Sequence, residues 1–90
     1  MRVYIAGPMT GVKDLNQPAF MAREKELKAE GHVVLNPHIL PHGMEYENYM
    51  TICFAMVKAG EAISMLPGHE RSPGARRELA WARQLGKVEL

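Results

Sequence analysis

The stretch AISMLPGHERSPGARRELAWARQLGKVEL, residues 62–90, decides the fold. AISML, residues 62–66, is an almost unbroken apolar run of strand length, and Pro67-Gly68 ends it. Ser72 is placed to cap a helix, and Pro73 fits the first helical position, where no backbone N–H is needed. Gly86 closes that helix, and KVEL, residues 87–90, reads as a short last strand. Strand, loop, helix, strand is the repeating unit of a parallel sheet. Such strands read as continuous apolar runs because helices cover both faces.

Upstream the same alternation recurs. RVYIA, residues 2–6, is β-branched and aromatic and stops at Gly7-Pro8, so a buried strand is predicted. A helix follows from about Pro18, with Asn16 or Gln17 as cap, to a stop at Gly31. HVVL, residues 32–35, is the second strand, ended by Asn36-Pro37. NPHILPHGMEYEN, residues 36–48, holds two prolines and a glycine and is the longest irregular segment. A second helix runs from about Glu47 to Ala59, with Tyr46, Tyr49, Met50, Cys53 and Val57 on its apolar face. The order β-α-β-α-β-α-β predicts one α/β domain over residues 1–90. Its form is a three-layer sandwich with a small parallel sheet, flavodoxin- or Rossmann-like. In that arrangement strands 1 and 3 are neighbours at the switch point. The loops GPMTG, residues 7–11, and PGHERS, residues 67–72, then face each other across one crevice.

Composition narrows the function classes. The 90 residues are 47% hydrophobic and carry a formal net charge of +1, so no electrostatic footprint for a nucleic-acid polymer or an anionic membrane exists. No apolar stretch approaches the ~20 residues of a membrane span, and none resembles a signal-peptide core. One cysteine, Cys53, rules out an internal disulfide and suits a cytoplasmic setting. A chain this short gains stability by covering more apolar surface, so a homodimer or higher homo-oligomer is expected.

Three features converge on the crevice. Gly7, Pro8, Met9, Thr10 and Gly11 form a glycine-bracketed turn whose backbone N–H groups can approach a ligand, with Thr10 adding a hydroxyl. A tight strand-to-helix turn explains the same residues. Ser72, Pro73 and Gly74 open a helix whose N–H groups and dipole suit an anion, or simply cap it well. Glu78 is the most informative. At about 100° per residue it projects inside the apolar arc of Ala75, Leu79, Ala82 and Leu85, where an ionisable group needs a partner or a purpose. Pairing with Arg76 or Arg77 is one answer. A carboxylate held on a rigid helix beside an anion pocket, able to attack a sugar carbon, is the other. Glu61, just before the third strand, is a candidate second carboxylate. Gly68 and His69 lie in the crevice loop. Cys53 sits mid-helix on an apolar face and reads as core. His38 and His42 have metal-ligand spacing only on a helix, which the adjacent prolines oppose, so neither a metal nor an organic cofactor is expected.

YIAGPMTG, EAISMLPGHERSPGARREL and AWARQLGK together resemble the nucleoside 2-deoxyribosyltransferase superfamily, and more closely its short branch found in bacteriophage and bacterial genomes. The likeness covers nearly the whole chain, and its most specific part is LPG-x-x-x-S-x-GA-x-x-E. It implies action on the N-glycosidic bond of a nucleoside or nucleoside 5′-monophosphate, with Glu78 as nucleophile. It also implies that Ser72 and the Gly7–Thr10 loop hold the 5′ end, that Tyr4 lines the pocket, and that an acidic residue before strand 3 belongs to the pattern. Relatives place aspartate where Glu61 stands, and some place aspartate where this chain has Cys53. Those departures keep a second expectation open: a module that binds a nucleotide and turns nothing over.

Overall fold

A computed structural model describes residues 1–90. The elements are β1 (Arg2–Ala6), α1 (Gln17–Ala29), β2 (Val33–Leu35), α2 (Tyr46–Ala59), β3 (Ala62–Met65), α3 (Pro73–Gln84) and β4 (Val88–Glu89). The four strands form one sheet in the order β2-β1-β3-β4, and every pairing is parallel. The expected α/β sandwich is therefore present, with β1 and β3 adjacent and in register from Val3–Ala62 to Ala6–Met65.

Alternation along β1 builds the two halves of the core. Val3 and Ile5 face one side and pack with Phe20 and Leu27 of α1. Tyr4 and Ala6 face the other, against Cys53 and Val57 of α2 and Ala82 of α3. These four side chains are fully buried, and only Arg2, which opens the strand, is exposed. Side by side over the second face, α2 and α3 are locked by Phe54 edge-on to Trp81 at 4.8 Å. Arg77 adds a two-pronged bond to Glu47, at 3.0 and 3.2 Å. No helix is long and apolar enough to cross a membrane.

Two sequence expectations shift. Leu85 is 42% exposed, because α3 ends at Gln84 and Leu85 has left helical geometry before completing the apolar arc. Tyr46, the first residue of α2, is 48% exposed with the Arg77 guanidinium 5.6 Å from its ring, whereas Met50, Cys53 and Val57 further along the helix are buried.

Close approach at the switch point depends on glycine. A Cβ on Gly7 would fall 2.7 Å from Leu66 Cβ, so only a residue without a side chain lets the chain leave β1 against the end of β3. A Cβ on Gly74 would meet the Tyr46 hydroxyl at 3.3 Å, which keeps the starts of α2 and α3 together.

Candidate active site

At the C-terminal edge of the sheet lies a cavity of about 700 Å³, within the range that holds small organic ligands. Its wall has three parts. Gly7, Pro8, Met9 and Thr10 come from the loop after β1, and Ser72, Gly74, Ala75 and Glu78 from α3 and its approach. The irregular segment after β2 and the start of α2 supply Pro37, His38, Leu40, His42, Tyr46, Tyr49 and others. Switch-point geometry accounts for the first two, since β1 and β3 exit side by side.

Glu78 is the charged group at the centre of this wall. Only 5% of it is exposed. The Tyr4 hydroxyl, itself fully buried in β1, donates a hydrogen bond to Glu78 Oε2. Burial pushes the Glu78 carboxyl up to about 7, against the Tyr4 hydroxyl, the Cys53 thiol and the Arg77 charge, all of which favour the ionised form. Arg77 acts only at a distance, because its guanidinium is committed to Glu47 and lies 5.3 Å from the Trp81 ring. The carboxylate therefore has no ion-pair partner and one strong donor. A carboxyl poised to lose its proton near neutral pH and aimed at an apolar cavity suits nucleophilic or proton-transfer work.

The other buried polar groups around it are protonated. Burial, with Glu78 second, raises the Tyr4 phenol well above its ordinary value, so Tyr4 is a donor. Burial also drives the Cys53 thiol up to about 11 and Tyr49 higher than a free phenol. Cys53 is fully buried and lies behind the wall. Tyr49 is half-buried, lines the cavity, and donates to Met9 Sδ at 3.2 Å.

At the start of α3 the Ser72 hydroxyl caps the helix, accepting from Ala75 N at 3.3 Å. Arg71 lines the same end of the cavity. Nowhere do three His, Cys, Asp or Glu side chains gather in a way that would hold a metal ion.

The structure brings Glu78, Ser72, Gly74 and the Gly7–Thr10 loop to one cavity. Tyr4, expected to line the pocket, is instead fully buried behind the wall and reaches the cavity only through its bond to Glu78. Three further sequence candidates are left out. Glu61 lies at the opposite edge of the sheet. It accepts from Arg2 N at 2.9 Å, and the Arg2 guanidinium stands 3.5 Å away. A residue that precedes a parallel strand sits at the sheet's N-terminal edge, whereas the cavity opens at the C-terminal one. Gly68 borders a smaller neighbouring hollow with Arg71, Thr10 and Asn16. His69 lines neither hollow and is bound to the Leu66 carbonyl at 2.9 Å. The reading of the sequence missed the wall after β2. Its prolines and glycine identified a long irregular segment, and that segment leaves the sheet at the same edge as the two crevice loops. That shared edge was the available signal.

Fold and site together define a doubly wound α/β domain with a ligand-sized cavity at its switch point and one buried carboxylate in the cavity wall. Within that class, the chain belongs to the family described as "Domain of unknown function (DUF4406)", whose profile matches residues 1–89. No protein of curated function matches it. Among solved structures it is similar to a 2-deoxyribosyltransferase from Leishmania mexicana, with a TM-score of 0.78 and 27% identity. That likeness covers 99% of this chain and 61% of the other. It is similar also to the CMP N-glycosidase of Clostridium botulinum, with a TM-score of 0.73, 22% identity, and coverage of 99% and 68%. A third is the 2-deoxyribosyltransferase of the psychrotolerant bacterium Bacillus psychrosaccharolyticus, with a TM-score of 0.71, 20% identity, and coverage of 99% and 69%. The chain thus spans about three-fifths to seven-tenths of the length of these neighbours.

Proposed function

We propose that this protein cleaves or transfers at the N-glycosidic bond of a nucleoside or nucleoside 5′-monophosphate, through a covalent glycosyl-Glu78 intermediate. The observation that carries the proposal is Glu78 itself: buried at the cavity wall, free of any ion pair, and held through Oε2 by Tyr4. In the proposal Tyr4 fixes the carboxylate and leaves Oε1 as the attacking atom. The C1′–N bond breaks, its electron pair departs with the base, and the base takes a proton from solvent. An ester forms between Glu78 and C1′. Attack on that ester by a second base completes transfer, and attack by water completes hydrolysis, with net retention at C1′ in both. Ser72, the free Gly74 N–H at the start of α3, Thr10 and Arg71 hold the 5′ end, where a phosphate would meet the positive end of the helix dipole. Phe20, Leu15 and Leu40 offer the apolar wall for the base. The neighbours' printed activities, a deoxyribosyl transfer and a CMP N-glycosidase, support the same bond as the target.

A second reading has one observation in its favour. The Cys53 thiol, at about 11, exchanges no proton at neutral pH, so α2 brings no acid–base group of ordinary strength next to Glu78. That suits a module that holds a nucleotide without turning it over. Incubation with a panel of nucleosides and their 5′-monophosphates, with free base measured by chromatography, separates the two. The first reading expects base release that Glu78→Gln abolishes. Binding without release, unchanged by Glu78→Ala, contradicts it.

A further inference from the structure

We infer that His38 is a positioning residue that pins one wall of the cavity and thereby sets how the base of a bound nucleotide is held. Between the loop after β1 and α1, the chain makes a tight turn in which Asp14, Leu15 and Asn16 take φ of 53°, 51° and 63°. Asp and Asn tolerate this left-handed region, but Leu15 between them enters it only against a steric cost. Something must hold the turn there. Its own backbone contributes a bond from Leu15 N to the Val12 carbonyl at 2.9 Å and one from Gln17 N to the Asp14 carbonyl, and neither engages the Leu15 carbonyl. From outside, His38 Nε2 reaches the Leu15 carbonyl at 2.7 Å. A carbonyl only accepts, so Nε2 carries the proton.

His38 is held in turn from two sides. Its ring packs on Phe20 at 4.8 Å, and its backbone N–H donates to Asn36 Oδ1 at 2.9 Å. Asn36 is buried and anchored to α1 by a 3.1 Å bond from Nδ2 to Glu24 Oε1. A chain of bonds from α1 through Asn36 and His38 thus ends on the strained turn. Leu15, Phe20 and His38 all line the cavity, so the pinned turn decides where Leu15 stands in it. Such strain, sustained at a ligand-facing wall by specific bonds, is a sign of preorganisation for binding. The inference rests on the proposed function for the nature of the ligand, and on geometry alone for the pin.

The test has a conformational arm and a ligand arm. His38→Phe keeps an aromatic ring on Phe20 and loses the bond; His38→Gln places an amide donor near the former Nε2. Amide exchange at Leu15 is expected to accelerate by about tenfold in His38→Phe and to stay near wild type in His38→Gln, the range of one lost hydrogen bond. By calorimetry, CMP affinity is expected to fall by about tenfold in His38→Phe, while ribose 5-phosphate, which lacks a base, binds within about twofold of wild type. Adding Asp14→Gly to His38→Phe lowers the cost of the left-handed turn at a residue outside the cavity, and is expected to recover at least part of the lost CMP affinity. Unchanged Leu15 exchange in His38→Phe overturns the pin. Equal losses for CMP and ribose 5-phosphate overturn its role toward the base. If wild type binds neither probe, the nucleotide reading fails and the exchange arm alone decides whether His38 holds the turn.

Discussion

At the N-terminal edge of the sheet, Glu61 stands in solvent with Arg2, whose backbone N–H and guanidinium hold its carboxyl below the ordinary range. At the C-terminal edge, Glu78 is enclosed, bonded to a phenol, and pushed up to about 7. The same side chain meets opposite environments because parallel strands give the sheet two unlike ends. At one end the strands begin beneath short returns. At the other, two loops diverge beside β1 and β3 and leave a hollow. A carboxylate at the first end contributes to stability, and one at the second costs stability and is available for chemistry.

The largest expected effect breaks the comparison outright. Glu78→Gln is expected to lower base release by about a thousandfold or more, as loss of a nucleophile does, and Glu61→Gln by less than about threefold. Comparable losses in steady-state assays of the two variants would erase the distinction between the two edges. Tyr4→Phe comes next. Removing the donor withdraws an interaction that favours the ionised carboxylate. The rate at pH 7 is therefore expected to fall by roughly 10- to 100-fold, and the acid limb of the pH–rate profile to move upward from its wild-type midpoint near 7. A midpoint that moves downward contradicts the hydrogen-bond assignment.

Stability should separate the two glutamates in sign. Burial raises the folded pKa of Glu78 above its unfolded value, so the folded state holds the proton more tightly. Stability is then greatest below the unfolded value of 4.5 and falls as pH rises from there to about 7. Glu78→Gln, which has no charge to bury, is expected to unfold at higher denaturant than wild type at pH 8. The gap is on the order of 3 kcal/mol and closes toward pH 4.5. Glu61 behaves the other way. Its folded pKa is lowered, so its contribution is present above the ordinary carboxylate range and lost as pH falls through the folded value. Glu61→Gln should accordingly be slightly less stable than wild type at pH 8, a smaller shift than that of Glu78→Gln and opposite in direction. Chemical denaturation at several pH values checks both.

The reach of the sequence follows from the same contrast. Strand and helix order was legible because β1 and β3 are buried on both faces and read as apolar runs, with the small buried Ser64 the one polar break in β3. Glu78 was legible because a 3.6-residue period places it among Ala75, Leu79 and Ala82, and burial of Ala75, Glu78 and Ala82 follows that period. Leu85 fell outside the helix, where the period no longer applies. Proximity to β3 in sequence grouped Glu61 with the site, although strand direction alone assigns it to the other edge. The wall after β2 has no period to read, since Pro37 faces the cavity from a single 3₁₀ turn, Pro37–Ile39, and Leu40 and Pro41 from the irregular backbone after it. The turn at Asp14–Asn16 was hidden for a different reason: it takes a left-handed path without the glycine that usually signals one.

Trapping the covalent step tests the account most directly. The protein would be incubated with nucleosides and 5′-monophosphates bearing a 2′-fluoro-arabino sugar, then digested and analysed by mass spectrometry. The account predicts one fluorinated sugar attached to the peptide that carries Glu78, and none on the Glu78→Gln protein. Release of base from unmodified substrate with no adduct at Glu78, or with release persisting in Glu78→Gln, would contradict it.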